Sequence, residues 1–276
     1  MLNFTINKTS CTQCGLCSKE CPTLIINGKN GIPEIKEGKE KNCIKCQHCL
    51  AVCPTGALSI FGKDPANSEP VEGELPSPKA LERLIKTRRS IRKFKKEEIS
   101  AETNKTLLEA AAYAPSGHNK NQVLLSVTNT KVDLDKVRTL VYNAIKEVKE
   151  TDHLDSSLAM FGNFQSLWET KQVDILFRDA PHLLVASAPA ANPNAVPDCV
   201  ISLSYFELLA NTMGIGTLWD GLLKIVFEQI APELKTALGI PEHHVIGYMM
   251  LYGFPVVKYT RAIQSEALNL NKINLQ

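Results

Sequence analysis

The sequence predicts a two-domain protein in which a small, duplicated N-terminal domain precedes a larger domain of α/β or α+β class. Three observations divide the 276 residues in this way. A cysteine pattern occurs twice within residues 1–62, a stretch rich in proline and acidic residues covers 63–78, and helix and strand patterns alternate over 79–276. The composition, 44% hydrophobic and 22% charged, is typical of a soluble globular protein.

Eight of the nine cysteines form two copies of one spacing, Cys-x2-Cys-x2-Cys-x3-Cys-Pro, and the copies are offset by 32 residues. This spacing is typical of bacterial iron–sulfur domains, in which the fourth cysteine of each run ligates the cluster of the other run. We therefore predict two [4Fe–4S] clusters, the first held by Cys11, Cys14, Cys17 and Cys53, and the second by Cys43, Cys46, Cys49 and Cys21.

Zinc and disulfide interpretations of these cysteines are weaker. Structural zinc sites usually have separated Cys-x2-Cys pairs, and disulfides are typical of secreted chains. The first residues, 1–7, lack the basic and apolar segments of a signal peptide. Because thiolate ligands need a reducing compartment, we expect a cytoplasmic protein.

The most apolar stretch, 199–219, is interrupted by Glu207 and Asn211, so it predicts a buried helix and a strand rather than a membrane span.

The charge pattern gives no indication of nucleic-acid binding. Residues 1–62 carry seven lysines and four glutamates. Each oxidised cluster with its four thiolates adds a formal charge of roughly −2, which leaves this domain close to neutral. No basic patch remains that would favour DNA or RNA.

The larger domain is predicted from capping signals and apolar periodicity. Ser77 before Pro78 predicts the start of a helix that runs to Arg88, and Ser100 predicts the start of a second one. Further helices are expected over residues 134–148, from Asp198 to near Gly214, and over 222–238, and strands over 122–128, 182–188 and 245–252. Residues 150–171 have no clear period, which leaves open a mobile cap over a site.

A segment with three cationic side chains and one hydroxyl, here called the arginine segment, follows the first of these helices. It consists of Arg88, Arg89, Ser90 and Arg92. Arginine makes bidentate, charge-assisted contacts with phosphate, and serine supplies a neutral donor. A solvated basic end of a helix is an equally good interpretation of the spacing. The sequence has no P-loop and no G-x-G-x-x-G after a strand, which excludes a Rossmann interpretation on motif.

Further segments, in consistent order along the chain, favour the phosphate interpretation of the arginines over a solvated helix end. They are Ala111–Asn119, Asp179–Pro181, Met213–Gly216, Trp219–Gly221, Gly253–Pro255 and Arg261. With the arginine segment they make residues 80–262 resemble the nitroreductase family of FMN oxidoreductases, while residues 1–62 resemble a bacterial two-cluster ferredoxin. The resemblance implies an α+β fold, with a central, mostly antiparallel sheet and long helices. It also implies a homodimer with FMN at the interface.

The resemblance also implies roles for individual residues. Arg88, Ser90 and Arg92, with Arg89 beside them, hold the phosphate and ribityl chain of FMN, and Arg261 closes the phosphate site from the partner chain. Pro115, Ser116, Gly117 and Asn119 lie along the isoalloxazine ring. Trp219, Asp220 and Gly221 lie at flavin N5, where a backbone N–H adjusts the potential. Asp220 and Gly221, with His118, are the predicted catalytic residues.

Two further residues, Asn121 and His118, lie near the ring in the site that the resemblance implies. After the asparagine that corresponds to Asn119, family members commonly have x-Gln-Pro-Trp, whereas this chain has Lys120-Asn121-Gln122-Val123. The ring contact that the family's glutamine usually makes therefore falls to Asn121, whose side chain is one methylene shorter. Histidine is the usual side chain for proton transfer near neutral pH, so His118 could donate a proton or orient the substrate. A loop histidine with a satisfied hydrogen bond is the alternative interpretation.

The domain order predicts an oxidoreductase that passes electrons from a low-potential donor such as ferredoxin, through two clusters and FMN, to a small acceptor. The resemblance implies a nitroaromatic, a quinone or a similar acceptor. Alternatives are an NAD(P)H-fed reductase, a reductase of activated alkenes or halogenated compounds, and a non-enzymatic electron carrier or redox sensor. The sequence does not distinguish the donors.

Overall fold

The computed structural model describes residues 2–28, 31–151, 153–266 and 268–275. The chain forms two compact units. The first comprises Met1–Leu75 together with the short segment His118–Lys120, and the second comprises Pro76–Gly117 and Asn121–Gln276. The predicted domain bounds, 1–62, 63–78 and 79–276, stay a prediction.

The first unit is built from very short elements. They are β1 (Thr5–Ile6), α1 (Leu16–Lys19), β2 (Ile26–Asn27), β3 (Glu34–Ile35), α2 (His48–Ala51) and β4 (Leu58–Ser59). Antiparallel pairing joins β1 to β4 and β2 to β3. Its small core combines Ile25, Leu58 and Ile60 with buried cysteines. So small an apolar core is consistent with a domain that gains folding free energy from bound metal.

The second unit is an antiparallel sheet covered by helices on both faces. Its elements are α3 (Pro78–Thr87), α4 (Ala101–Ala112), β5 (Leu124–Val127), α5 (Lys131–Glu150), α6 (Ala159–Lys171), β6 (His182–Pro189), α7 (Ala195–Thr212), β7 (Gly216–Trp219), α8 (Gly221–Ile225), α9 (Leu234–Ala237) and β8 (His244–Gly253). The strand order is β5-β6-β8-β7, and every neighbouring pair is antiparallel. The predicted α+β class with long helices and a mostly antiparallel sheet is confirmed.

Side chains of β6 alternate between two apolar layers. Leu183 and Val185 face a core shared with α5 and α6, whereas Leu184 and Ala186 face a core shared with α4 and α7. A strand buried on both faces has a continuous apolar sequence, as the sequence of β6 does. α7 packs so tightly on β8 that a β-carbon at Gly247 would stand 2.2 Å from Cys199 Cβ.

Most predicted elements occur, with three differences. Residues 156–158 form a 3₁₀ turn that leads into α6, so the segment predicted to be irregular is largely helical. The predicted helix over 222–238 divides into α8, the π-helix Val226–Ile230 and α9. The predicted start of α7 at Asp198 is wrong, because the helix begins three residues earlier, after Asn194. Among the described residues no helix has both the length and the apolar character needed to cross a membrane.

Candidate functional site

The eight cysteines of the two repeated runs surround two separate cavities in the first unit. One cavity is lined by Cys11, Cys14, Cys17 and Cys53. The other is lined by Cys21, Cys43, Cys46 and Cys49. In each set the fourth cysteine comes from the opposite run, as in the ligand sets that the spacing predicts.

The electrostatics of the thiols show the same grouping. Burial raises the pKa of the Cys49 thiol to about 11, and the nearby sulfurs of Cys46 and Cys21 add to this effect. Burial also raises the pKa of Cys17, and there the neighbouring sulfur from the other run is that of Cys53. Such buried thiols bind metal as thiolates, so loading these sites releases protons. Within the described ranges, no group of three or more His, Cys, Asp or Glu side chains is spaced for a single metal ion.

The duplication extends to the backbone of the two cysteine loops. Gly15 and Gln47, at equivalent positions, have left-handed φ angles of 72° and 60° and precede α1 and α2. Backbone N–H groups also reach the sulfurs: Ala57 N donates to Cys53 Sγ at 3.2 Å. Hydrogen bonds to cluster sulfurs are one determinant of reduction potential. The loops therefore have both the ligands and the donors that a cluster requires.

In the second unit, the arginine segment is held as an additional edge beside β7. Ser90 pairs with Thr217 in a parallel bridge, and Ile91 N donates to Thr217 O at 2.9 Å. This approach requires glycine next to Thr217, because a β-carbon at Gly216 would stand 2.3 Å from Ile91 Cγ1. Main-chain pairing thus fixes the direction in which the segment presents its side chains.

Arg88 has an acidic partner that the sequence analysis did not identify. Arg88 Nη1 donates to Glu207 Oε1 at 3.3 Å, and Thr217 Oγ1 donates to the same oxygen at 2.8 Å. Glu207 lies on α7 and is buried. The sequence alone indicates only that Glu207 interrupts an apolar stretch.

The loop between α4 and β5 carries several of the predicted ring contacts. Ser116 Oγ donates to Asn121 Oδ1 at 3.0 Å and accepts from the backbone N of the same residue at 2.9 Å. The backbone of His118, Asn119 and Asn121 is left-handed, with φ between 48° and 54°. Non-glycine residues in this region are strained, and such strain is concentrated at functional sites.

This loop is attached to the first turn of α7. Gly117 N donates to Asp198 Oδ1 at 3.0 Å, and Asp198 Oδ2 accepts from Asn192 Nδ2 at 3.2 Å. Asn194 occupies the space beside Gly117, where a β-carbon would stand 2.1 Å from Asn194 Nδ2. The buried carboxylate of Asp198 therefore positions the loop. The sequence predicts this residue only as the start of a helix.

A cleft lies between the loop and α7. It is lined in part by Pro115, Ser116, Asn121, Val123, Asp198 and Ser202. Three of these, Pro115, Ser116 and Asn121, are predicted flavin contacts. The cleft combines apolar walls with a few polar groups, which is the usual composition of a small-molecule site.

A buried acidic residue, Asp220, follows directly after β7. Trp219 packs edge-on against Tyr248, and Asp220 caps α8 by accepting a hydrogen bond from Leu223 N at 2.9 Å. Burial raises the pKa of the Asp220 carboxyl to about 7, although the nearby guanidinium of Arg178 opposes the shift. Gly221 is the first residue of α8, where backbone N–H groups have no partner within the helix. The end of β7 thus offers the backbone N–H of Gly221 and a carboxyl whose pKa is raised to about 7.

Five predicted site residues lie outside these contacts, among them Arg89, whose Nε donates to the carbonyl oxygen of Arg88 at 2.6 Å. Arg92, His118 and Arg261 are exposed in the chain. Asn119 belongs to the segment grouped with the first unit, and its Nδ2 donates to the Ile44 carbonyl oxygen at 3.1 Å. The roles of all the predicted site residues in flavin binding or catalysis stay predictions.

Comparison with known proteins decides the family. The nitroreductase family model matches residues 85–254, which is more than half of the chain. The chain belongs to the nitroreductase family. Outside this match, residues 10–58 match the model of a 4Fe-4S dicluster domain. The resemblance inferred from the sequence is confirmed, and the chain is an oxidoreductase.

Individual relatives agree with both parts. A protein of Methanothermobacter thermautotrophicus, provisionally named NADH dehydrogenase/NAD(P)H nitroreductase, is 23% identical over 67% of this chain and 82% of its own length. A ferredoxin-like protein in the nif region of Sinorhizobium fredii is 37% identical over 18% of this chain and 84% of its own length. The predicted iron–sulfur clusters agree with the dicluster match.

A solved structure supports the fold of the second unit. The nitroreductase of Bacteroides fragilis, determined with bound FMN, superposes with a TM-score of 0.58 at 22% identity and covers 70% of this chain and 98% of its own. The likeness establishes the nitroreductase fold of this unit.

Proposed function

We propose that this nitroreductase-family chain is an FMN- and iron–sulfur-dependent reductase of nitroaromatic, quinone or similar small molecules. The observation that carries the proposal is the pair of crossed cysteine sets in a chain whose second unit belongs to this family. When bound, the clusters carry single electrons and FMN stores two, so that electrons from a low-potential donor such as ferredoxin reach a two-electron acceptor.

The residues of the second unit fit an FMN site. Arg88, Ser90 and Arg92 supply cations and a hydroxyl on a segment fixed by main-chain pairing, which suits a phosphate. The 115–121 loop supplies a mixed polar and apolar wall for a ring. The start of α8 supplies the backbone N–H of Gly221 and the carboxyl of Asp220, whose pKa is raised to about 7. This carboxyl is the candidate proton source, with His118 as the second candidate.

Exposed apolar side chains support the predicted homodimer. α3 presents Leu81 and Ile85 to solvent in the single chain, and Tyr205 and Met213 are also exposed, on α7 and at its end. An amphipathic helix that leaves its apolar side uncovered usually meets a partner there. We propose that a second copy covers these side chains and completes the FMN site, with Arg261 contributed in trans. Sedimentation of the native protein as a monomer that retains its FMN would contradict this arrangement.

We also place the protein in the cytoplasm, because its thiolates require reducing conditions.

The test of the function compares two donors under anaerobic conditions. Protein is mixed with a nitroaromatic or a quinone, and is supplied either with dithionite-reduced ferredoxin or with NAD(P)H. We expect turnover with ferredoxin, and loss of that turnover in a Cys21→Ala/Cys53→Ala variant, which lacks one ligand at each cluster. An electron carrier would accept electrons without turning over any acceptor, which would contradict the proposal.

The second candidate is an NAD(P)H-fed reductase, and the name of the Methanothermobacter relative favours it. In that case NAD(P)H alone bleaches the flavin absorbance. Turnover with NAD(P)H then survives in the double cysteine variant, because electrons enter at the second unit.

A further inference from the structure

A buried carboxylate lies behind the arginine segment. The side chain of Glu207 is 9% exposed, and that of Arg88, its ion-pair partner, is 29% exposed. Burying a carboxylate is unfavourable unless charge and hydrogen bonds compensate it. Here compensation comes from Arg88 and from Thr217, whose hydroxyl is fully buried and donates to the same oxygen, Oε1.

Glu207 is connected to the backbone that carries the arginines. Thr217 binds the acid through its hydroxyl, and its carbonyl oxygen accepts from Ile91 N while Ser90 pairs beside it. One residue of β7 thus fixes both the main chain of the segment and the acid that holds its first arginine. Among the described residues the Arg88 guanidinium makes no other hydrogen bond, so its remaining N–H groups are available to an anion.

We propose that Glu207 is a positioning residue for the phosphate end of the flavin site. It holds Arg88 through Nη1 in one orientation. The free edge of the guanidinium can then bind the phosphate without a change of side-chain rotamer. The inference rests on the proposed function, because it requires that Arg88 bind the phosphate of FMN. A purely structural ion pair between α7 and the arginine segment is the competing explanation.

The two explanations separate when flavins with and without a phosphate are compared. Apoprotein is titrated with FMN and, separately, with riboflavin, and flavin fluorescence reports the dissociation constant of each. In Glu207→Gln we expect FMN to bind about tenfold more weakly, which is the scale of one charge-assisted hydrogen bond. Riboflavin should bind as it does to the native protein, because it has no phosphate.

A double-mutant cycle with Arg88→Ala tests whether the effect passes through the arginine. If it does, Glu207→Gln has no further effect on FMN affinity in the Arg88→Ala background. Thr217→Val is the second variant, for the case that Glu207→Gln does not fold, because it removes the other donor to the same oxygen. We expect it to weaken FMN binding and to spare riboflavin binding.

Three results would overturn the proposal: equal weakening of both flavins, unchanged or tighter FMN binding, and an undiminished Glu207→Gln effect without Arg88. Failure of the proposed function gives a different result, since native protein would then bind FMN without turning over a nitroaromatic or a quinone.

Discussion

The backbone of Gly216 and the side chain of Ile91 are in such close contact that a β-carbon at residue 216 would stand 2.3 Å from Ile91 Cγ1. The same pair of segments is joined by the hydrogen bond from Ile91 N to Thr217 O. The close approach therefore decides where the arginine segment lies. Neither residue contains a group that binds a ligand, yet together they set the geometry of the candidate phosphate site.

Gly216→Ala should push the arginine segment away from β7. Overpacking of this kind costs about 1–3 kcal/mol of stability, and we expect that loss in chemical denaturation of the second unit. FMN affinity should fall as well, because Ser90 and Arg88 move with Ile91. Gly73→Ala is the matched control, since a β-carbon at Gly73 meets no atom within 4 Å. Equal stability of the two variants would show that Ile91 can move away without consequence.

The cysteine cavities make a prediction about which substitutions are equivalent. Native protein prepared anaerobically should hold about eight iron atoms per chain, from two four-iron clusters. Cys21→Ala and Cys49→Ala should lose the same cluster, and Cys53→Ala and Cys17→Ala the other, because each pair lines one cavity. Iron analysis and EPR spectra of the four variants check this pairing. Matching spectra for Cys21→Ala and Cys17→Ala would instead assign each cluster to a single run of cysteines.

The raised pKa of Asp220 predicts a loss of stability as pH rises. The folded-state pKa is about 7, against an ordinary value of 3.8, so this carboxyl favours folding most at low pH. Its contribution is complete below the ordinary value and disappears as pH rises through 7. Between pH 6 and pH 8 the native protein should lose about 1.4 kcal/mol that Asp220→Asn does not lose.

Denaturant midpoints of the native protein and of Asp220→Asn at both pH values measure this difference. Asparagine still accepts a capping hydrogen bond, so α8 should remain intact in the variant. If Asp220 also supplies a proton during reduction, the pH dependence of turnover should have an apparent pKa near 7 that the variant lacks. Parallel stability curves for the two proteins would mean that the carboxyl ionises normally.

Much of this architecture could be predicted from local sequence signals. Ser77 and Ser100 cap helices where expected, and the apolar run of β6 is a buried strand. The cysteine spacing also indicated the crossed sets that surround the two cavities. These features depend on residues close together in the chain or on a repeated pattern, which a single sequence displays directly.

The supporting contacts of the candidate site could not be predicted in this way. Gly117 and Asp198 are 81 residues apart in the chain, and Arg88 and Glu207 are 119 apart. Nothing in the sequence indicates which acid of an apolar helix faces which loop. The helix α6 was missed for a related reason: it buries Gly162 and Gln165 beside Phe161, so its apolar residues lose the helical period.

Asp198 and Glu207 lie nine residues apart on α7, about 13 Å along the helix axis, and they hold different parts of the candidate site. Asp198 binds the backbone of the 115–121 loop at Gly117, whereas Glu207 binds Arg88. If this loop lies along the flavin ring, Asp198→Ala should weaken FMN and riboflavin binding equally, by about tenfold for one lost charge-assisted hydrogen bond.

Asp198→Asn is the matched control, because its carbonyl oxygen can still accept from Gly117 N, and it should retain most of the affinity for both flavins. Fluorescence titration of apoprotein with the two flavins measures these effects. The equal response at Asp198 and the phosphate-specific response expected at Glu207 would together show that α7 orients the flavin along its length. Riboflavin affinity unchanged in Asp198→Ala would place the ring away from this loop, because the loop loses its attachment in that variant and any flavin contact it makes should weaken.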